Sequence, residues 1–387
     1  MPHAYGDRAG RVYRPGGRRT RSPARGYGSF VDATTPAPAL GDWPADGLER
    51  VDRCPACASA GRSLLYGGVT DRSYLQAPGR WDLHRCGECG CAFLDPRPTR
   101  QTVALAYGNY YEDAASAPAT GPPAAAGRHG WPRLRRAIRN GYLNARFGYG
   151  LAPASRLGRV LVPLLPRQRE KADEYVRHLS LRPGRPRLLD VGCGEGEFLA
   201  EMATLGWDAE GIDPTADAVE AACRRGVRVT RGDLTGVALD EGAFDAITFR
   251  LVFEHIPDPV GALRACHRAL KPGGVVWIAA PSLDSEASRA FGDAWIFLEA
   301  PRHAVLYTPA SLDRLLRRCE FEPMLLRPSR QAGWSFRLSG AIARGEPPFR
   351  SPRPLSPPER ARAGLADLRA LLRPERADVV VVLAQKR

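Results

Sequence analysis

Short apolar runs separated by amphipathic stretches dominate the chain from Arg187 onward. Strands are predicted over 187–192 (RLLDVG), 208–213 (DAEGID), 227–233 (VRVTRGD), 244–250 (FDAITFR) and 275–281 (VVWIAAP). Between them apolar positions recur with a helical period. Phe198, Leu199, Met202 and Leu205 form one stripe, and Val260, Leu263, Cys266 and Leu270 form another. The second stripe runs into Lys271-Pro272-Gly273-Gly274, a helix stop signal. Repeated β-α units of this kind predict an α/β fold, with a mostly parallel sheet covered on both faces and ligands bound beyond the carboxyl ends of its strands. A last run, 378–386 (DVVVVLAQK), follows a Pro/Arg-rich insertion at about 343–376 and is expected to add at the sheet edge. The insertion itself is expected to cover the acceptor side.

The amino-terminal half lacks this rhythm. Residues 1–48 are rich in Gly, Pro, Arg and Ala without periodicity and read as a disordered basic tail. A compact Cys-rich module follows over 49–111. Residues 112–180 combine an Ala/Pro/Gly linker with a basic helical segment, in which Leu134, Ile138, Leu143, Leu161, Leu164 and Leu165 stand among arginines. That segment reads as a solvated connector, a cap, or a helix near a membrane surface. The α/β domain occupies 181–387.

Composition narrows the class. With 44% hydrophobic and 25% charged residues, the chain has an ordinary globular balance. No apolar run approaches the roughly 20 residues that cross a bilayer, and the first thirty residues lack the apolar segment of a secretory signal. A cytoplasmic location is the expectation. The net charge of +14 permits anionic partners without choosing among them.

The loop Asp190-Val191-Gly192-Cys193-Gly194-Glu195-Gly196 joins the first strand to its helix, where glycines let backbone approach a ligand closely. Its third glycine comes one residue earlier than in the dinucleotide pattern. Two further acids close the next two strands. Asp213 is placed to accept both ribose hydroxyls of an adenosine. Asp233 is placed to accept the adenine amino hydrogens, with Leu234 packing on the ring.

These residues, together with Glu254-His255-Ile256-Pro257-Asp258-Pro259 and Leu270-Lys271-Pro272-Gly273-Gly274, resemble the class I S-adenosylmethionine-dependent methyltransferases over roughly 187–325. The resemblance implies a Rossmann-like sheet with an antiparallel last strand and S-adenosylmethionine as cofactor. It also implies that the loop from Asp190 through Gly192, Gly194 and Gly196 holds the methionine end. The stretch from Phe291-Gly292 through Trp295, Pro301-Arg302-His303 and Tyr307-Thr308-Pro309 is similar to a bacterial subgroup of that class. His255 and His303 both follow strands on the ligand side, and either can serve as the base for a hydroxyl acceptor. Arg302 and Tyr307 are expected to shape the acceptor pocket. The resemblance adds Tyr110 and Tyr111 as residues enclosing it.

Cys54-Pro55-Ala56-Cys57 and Cys86-Gly87-Glu88-Cys89 form two C-x-x-C knuckles separated by 28 residues. Four thiolates at that spacing can close a tetrahedral zinc site, structural because no coordination position is left open. Cys91 reads as a spare buried thiol. The functional expectation is methylation of oxygen or carbon on a small molecule or nucleotide-sugar type acceptor. An RNA methyltransferase, with the ribbon and the positive charge on a phosphate backbone, is the second reading, and a non-catalytic cofactor-binding interaction protein the third.

Overall fold

The computed structural model describes residues 41–108, 131–350 and 352–387. Tyr110, Tyr111, residues 1–40 of the expected tail and residues 112–130 of the expected linker lie outside the described residues. Residues 41–48, expected in the tail, are folded. Trp43 is buried and meets Trp81 edge-on with ring centroids 5.1 Å apart. In the cysteine module β1 (Leu48–Glu49) pairs with β5 (Arg97–Pro98). β2 (Arg62–Val69), β3 (Trp81–Cys86) and β4 (Ala92–Leu94) form an antiparallel sheet with Trp81, Leu83 and Leu94 in its core.

Three helices follow: α1 (Trp131–Phe147), α2 (Gly158–Leu164) and α3 (Pro166–Tyr175). α2 folds back on α1 at a glycine contact so close that a Cβ on Gly158 would lie 1.9 Å from the carbonyl oxygen of Ile138. No side chain larger than hydrogen fits there.

The sheet that follows contains β6 (Arg187–Val191), β7 (Asp208–Asp213), β8 (Arg228–Arg231), β9 (Phe244–Arg250) and β10 (Leu270–Pro281), all parallel. Helices α4 (Glu197–Thr204), α5 (Ala216–Arg224) and α6 (Pro259–Ala269) lie between successive strands. β9, buried at every position from Phe244 to Phe249, sits at the centre with both faces covered. After β10 come α7 (Glu286–Phe291), β11 (Val305–Leu306) and α8 (Pro309–Arg318), the last opened by a Thr308/Ser311 capping box. Then come β12 (Phe321–Ser329), α9 (Ala332–Ala343), α10 (Pro357–Leu372) and β13 (Val379–Lys386). The strand order is β12-β13-β10-β9-β6-β7-β8.

One placement differs from expectation. β13 does not add at the sheet edge; it inserts antiparallel between β10 and β12, and β12 forms the edge. The expected insertion at about 343–376 contains α10. α9 and α10 pack on each other, and α9 also packs on α7. A further feature ties the two halves together. β11 pairs with β4 and becomes the fourth strand of the module's sheet, so the cysteine module is built into the α/β domain.

Candidate functional site

The glycine loop closes β6 against β7. Gly192 (φ +69°) and Gly194 (φ +54°) adopt backbone conformations that favour glycine. A Cβ on Gly192 would lie 2.4 Å from Cγ2 of Val252, so the loop is pressed onto the turn after β9. At Gly194 the space is open, with no atom within 4 Å of such a Cβ. A ligand can therefore reach backbone there. Asp213 ends β7 and fixes this geometry, its Oδ2 accepting the Gly194 N–H at 2.9 Å and its Oδ1 the Thr215 N–H at 2.9 Å. Each oxygen keeps a second lone pair for a ribose hydroxyl. The residues fit an adenosine sulfonium ligand at this end of the strands.

Asp190 has a different partner from the one the resemblance implies. Its carboxylate is buried, paired with Arg177 and accepting from Thr248 Oγ1 at 2.8 Å. Arg177 also lies 3.5 Å over the ring of Phe198. Asp190 thus braces the loop from beneath. Nothing in the sequence set Arg177 apart from its many basic neighbours. Asp233 accepts from the Thr235 and Gly236 amides at 2.9 Å and pairs with Arg100 of the module at 2.6 Å. Burial alone would raise its carboxyl, but these hydrogen bonds and the Arg100 charge hold it below the usual range. Leu234 is buried beside it.

The turn Phe253–His255 follows β9, and the His255 N–H bonds the carbonyl of Val252, the residue against Gly192. His255 Nδ1 lies 3.1 Å from the carbonyl oxygen of Arg302 and 3.0 Å from the hydroxyl of Tyr107. A carbonyl only accepts, so Nδ1 carries the proton and Nε2 keeps its lone pair. Burial pulls the imidazole down to about 4, so it is neutral near pH 7. His303 packs edge-on against it, centroids 4.6 Å apart, and donates from Nδ1 to the Phe297 carbonyl at 2.7 Å. Its Nε2 faces Glu254 at 4.0 Å and Glu299 at 3.7 Å. Burial depresses His303 and raises Glu254, which works against an ion pair between them. Burial likewise lifts Glu299 to about 7.

Arg302 and Tyr307 do not line an open pocket. Arg302 is buried, bonds the Ala106 carbonyl at 2.6 Å, pairs with Asp71 and lies 4.6 Å over the ring of Tyr74. Asp71 also accepts the amides of Tyr74, Gln76 and Ala77. Burial works to raise its carboxyl, yet the Arg302 charge and these bonds hold it below the usual range. The pair therefore clamps the module to the α/β domain. Removing one partner leaves a buried charge alone, typically a loss of about 3–5 kcal/mol. Asp71→Ala is accordingly expected to lower the thermal unfolding midpoint sharply, whereas an unchanged midpoint would show that the clamp contributes nothing. Tyr307 is fully buried with its ring 5.3 Å from Phe253. Among the described residues Tyr107 reaches His255, while the expected Tyr110 and Tyr111 lie outside them.

In the module the sulfurs of Cys54, Cys57, Cys86 and Cys89 all lie within 4.8 Å of one another. The Cys54–Cys89 and Cys57–Cys86 separations are 3.6 and 3.5 Å. A tetrahedron with zinc–sulfur bonds of about 2.3 Å has edges of about 3.8 Å, so the four fit a zinc ion. Both knuckles turn through left-handed backbone, at Ala58 and Gly90. Cys91 is fully buried, 3.4 Å from the sulfurs of both Cys54 and Cys89, but stands outside that set of four.

The strand order, with one antiparallel strand between the fifth parallel strand and the edge, and the acid-closed glycine loop define the class I S-adenosylmethionine-dependent methyltransferase fold. Residues 164–325 match the family described as "Methyltransferase domain". Among curated relatives, the chain is 32% identical over 154 residues to the ubiquinone biosynthesis O-methyltransferase of Ralstonia nicotianae, a match covering 36% of this chain and 65% of that protein. To the enzyme of the same name from Pseudomonas aeruginosa it is 33% identical over 156 residues, covering 38% and 62%. The matches thus span less than two thirds of those relatives' own length. A solved S-adenosylmethionine-dependent methyltransferase from Mesorhizobium loti is similar at 19% identity and a TM-score of 0.39, over 55% of this chain and 96% of that one. A likeness of that degree adds nothing to what the strand order shows.

Proposed function

We propose that the chain transfers a methyl group from S-adenosylmethionine to a hydroxyl oxygen of a small-molecule acceptor, with His255 as the base and a structural zinc ion in the amino-terminal module. The observation that carries this reading is the adjacency of two devices. The Gly192–Gly194 loop tied to Asp213 leans on Val252, and the same turn presents His255 with Nε2 free to accept a proton. The names of the O-methyltransferase relatives support oxygen as the nucleophile.

When bound, S-adenosylmethionine supplies a methyl group on a positively charged sulfur, an activated leaving group. Asp213 orients the ribose, and Asp233 with Leu234 receives the adenine. Arg100, which pairs with Asp233, places the module beside that end. Alignment of the acceptor oxygen with the methyl carbon supplies most of the acceleration, on the order of 7–11 kcal/mol. With that donor in place, His255 Nε2 would accept the proton of the acceptor hydroxyl. His303 and Glu254 are positioning residues that hold the ring, and Tyr107 sits where an acceptor enters. Cys54, Cys57, Cys86 and Cys89 would hold a zinc ion with four protein ligands, a structural rather than catalytic role.

His255→Ala is expected to lower kcat about 10²–10⁴-fold with cofactor binding retained. The pH profile supplies an independent reading. A base held down to about 4 by burial stays deprotonated through mildly acidic pH. The acid limb of kcat/KM should therefore fall near that value, well below the ordinary histidine range near 6.5. Assay of labelled methyl transfer to hydroxylated acceptors tests both points. Full turnover by His255→Ala, or an acid limb at the ordinary histidine value, would remove His255 from the role.

A further inference from the structure

The helical hairpin before the α/β domain carries a surface that the proposed chemistry does not use. From Trp131 to Arg169 the chain has nine arginines and no aspartate or glutamate. The glycine contact seats α2 on α1 with Gly158 and Val162 turned inward. That seating turns Leu157, Val160, Leu161, Leu164 and Leu165 outward, with exposures of 60, 61, 41, 71 and 52%. Five exposed apolar side chains within nine residues form the kind of contiguous patch that marks an interaction site. Arg156 and Arg159 stand among them and pair with no carboxylate among the described residues.

We propose that this hairpin docks on the surface of an anionic phospholipid bilayer. Leu157, Val160, Leu161 and Leu164 enter the acyl boundary while Arg156 and Arg159 meet headgroup phosphates. The combination of the apolar patch with Arg156 and Arg159 beside it is what a peripheral bilayer contact requires. A nucleic acid offers phosphates but no apolar phase for the five side chains. A second copy of the chain would bring Arg156 and Arg159 of two copies together, which like-charge repulsion opposes. No described helix is long and apolar enough to span a membrane, so the contact lies in the plane of the surface.

The test is cosedimentation of the full chain with phosphatidylcholine vesicles, with and without phosphatidylglycerol, at low and high salt. Binding to the anionic vesicles, weakened by salt, is the expected result. Val160→Ser/Leu164→Ser should weaken it about tenfold or more, and Arg156→Gln/Arg159→Gln about fivefold per arginine. All four side chains are exposed, so unchanged thermal unfolding of both variants is expected to accompany the loss. Failure to sediment with anionic vesicles overturns the proposal. So does binding indifferent to the Val160/Leu164 change, which would reduce it to general attraction by net charge. A dimer in light scattering that the same change dissolves would assign the face to a second copy instead.

Discussion

Removing zinc from the four-cysteine cluster is expected to unfold the amino-terminal module and to disable the site beside it. Structural zinc supplies roughly 10–16 kcal/mol in small modules. The module's own core is Trp43, Trp81, Leu83 and Leu94 under short strands, and a unit of this size rarely stabilises itself without a staple. Without a metal, four sulfurs within 4.8 Å of one another lose the ion that would tie them together. The consequence spreads because β11 completes the module's sheet, Arg302 is clamped to Asp71, and Tyr107 bonds His255. Cys54→Ser/Cys86→Ser should therefore lose one equivalent of zinc, shift Trp43 and Trp81 fluorescence toward the solvated range, and abolish methyl transfer. Metal content with tryptophan emission checks this. Native emission in a zinc-free protein would show the ribbon to be held by packing alone.

Asp213→Ala is the second large effect. The carboxylate accepts two backbone amides that shape the glycine loop, and in the proposed complex it also receives the ribose. Hydrogen bonds to a charged group contribute about 1.5–3 kcal/mol each, so loss of the ribose contact with slackening of the loop should weaken cofactor binding about 100-fold or more. A convenient readout is ligand-induced thermal stabilisation, which grows with the logarithm of ligand concentration over Kd. The wild-type midpoint should rise with S-adenosylhomocysteine while that of Asp213→Ala stays flat. Equal shifts in both proteins would place the ligand elsewhere.

The parallel strands were legible because their chemistry is local. FDAITFR and DAEGID are short runs bounded by turn residues, and β9 and β7 occupy the expected ranges. The edge strand β12 was not legible, and its own sequence explains why. FEPMLLRPS contains Pro323 and Pro328, which remove amide donors and disqualify a central strand. An edge strand tolerates them, so the feature that hid β12 is also the one that fits its place, and β13 was consequently assigned to the edge that β12 takes. The glycine loop and Asp213 were readable as motifs. The partners of Asp190 and Arg302 were not, because Arg177 and Asp71 carry no local signal and meet them only through the fold. The same holds for Tyr107, whose approach to His255 depends on the module being docked through β11.

Calorimetric titration of S-adenosylmethionine into the zinc-loaded wild-type chain tests the central claim most directly. The account predicts saturable binding to one site at micromolar concentration, with S-adenosylhomocysteine competing for it. Absence of any heat of binding at millimolar ligand would contradict it, leaving the sheet as a scaffold with no cofactor.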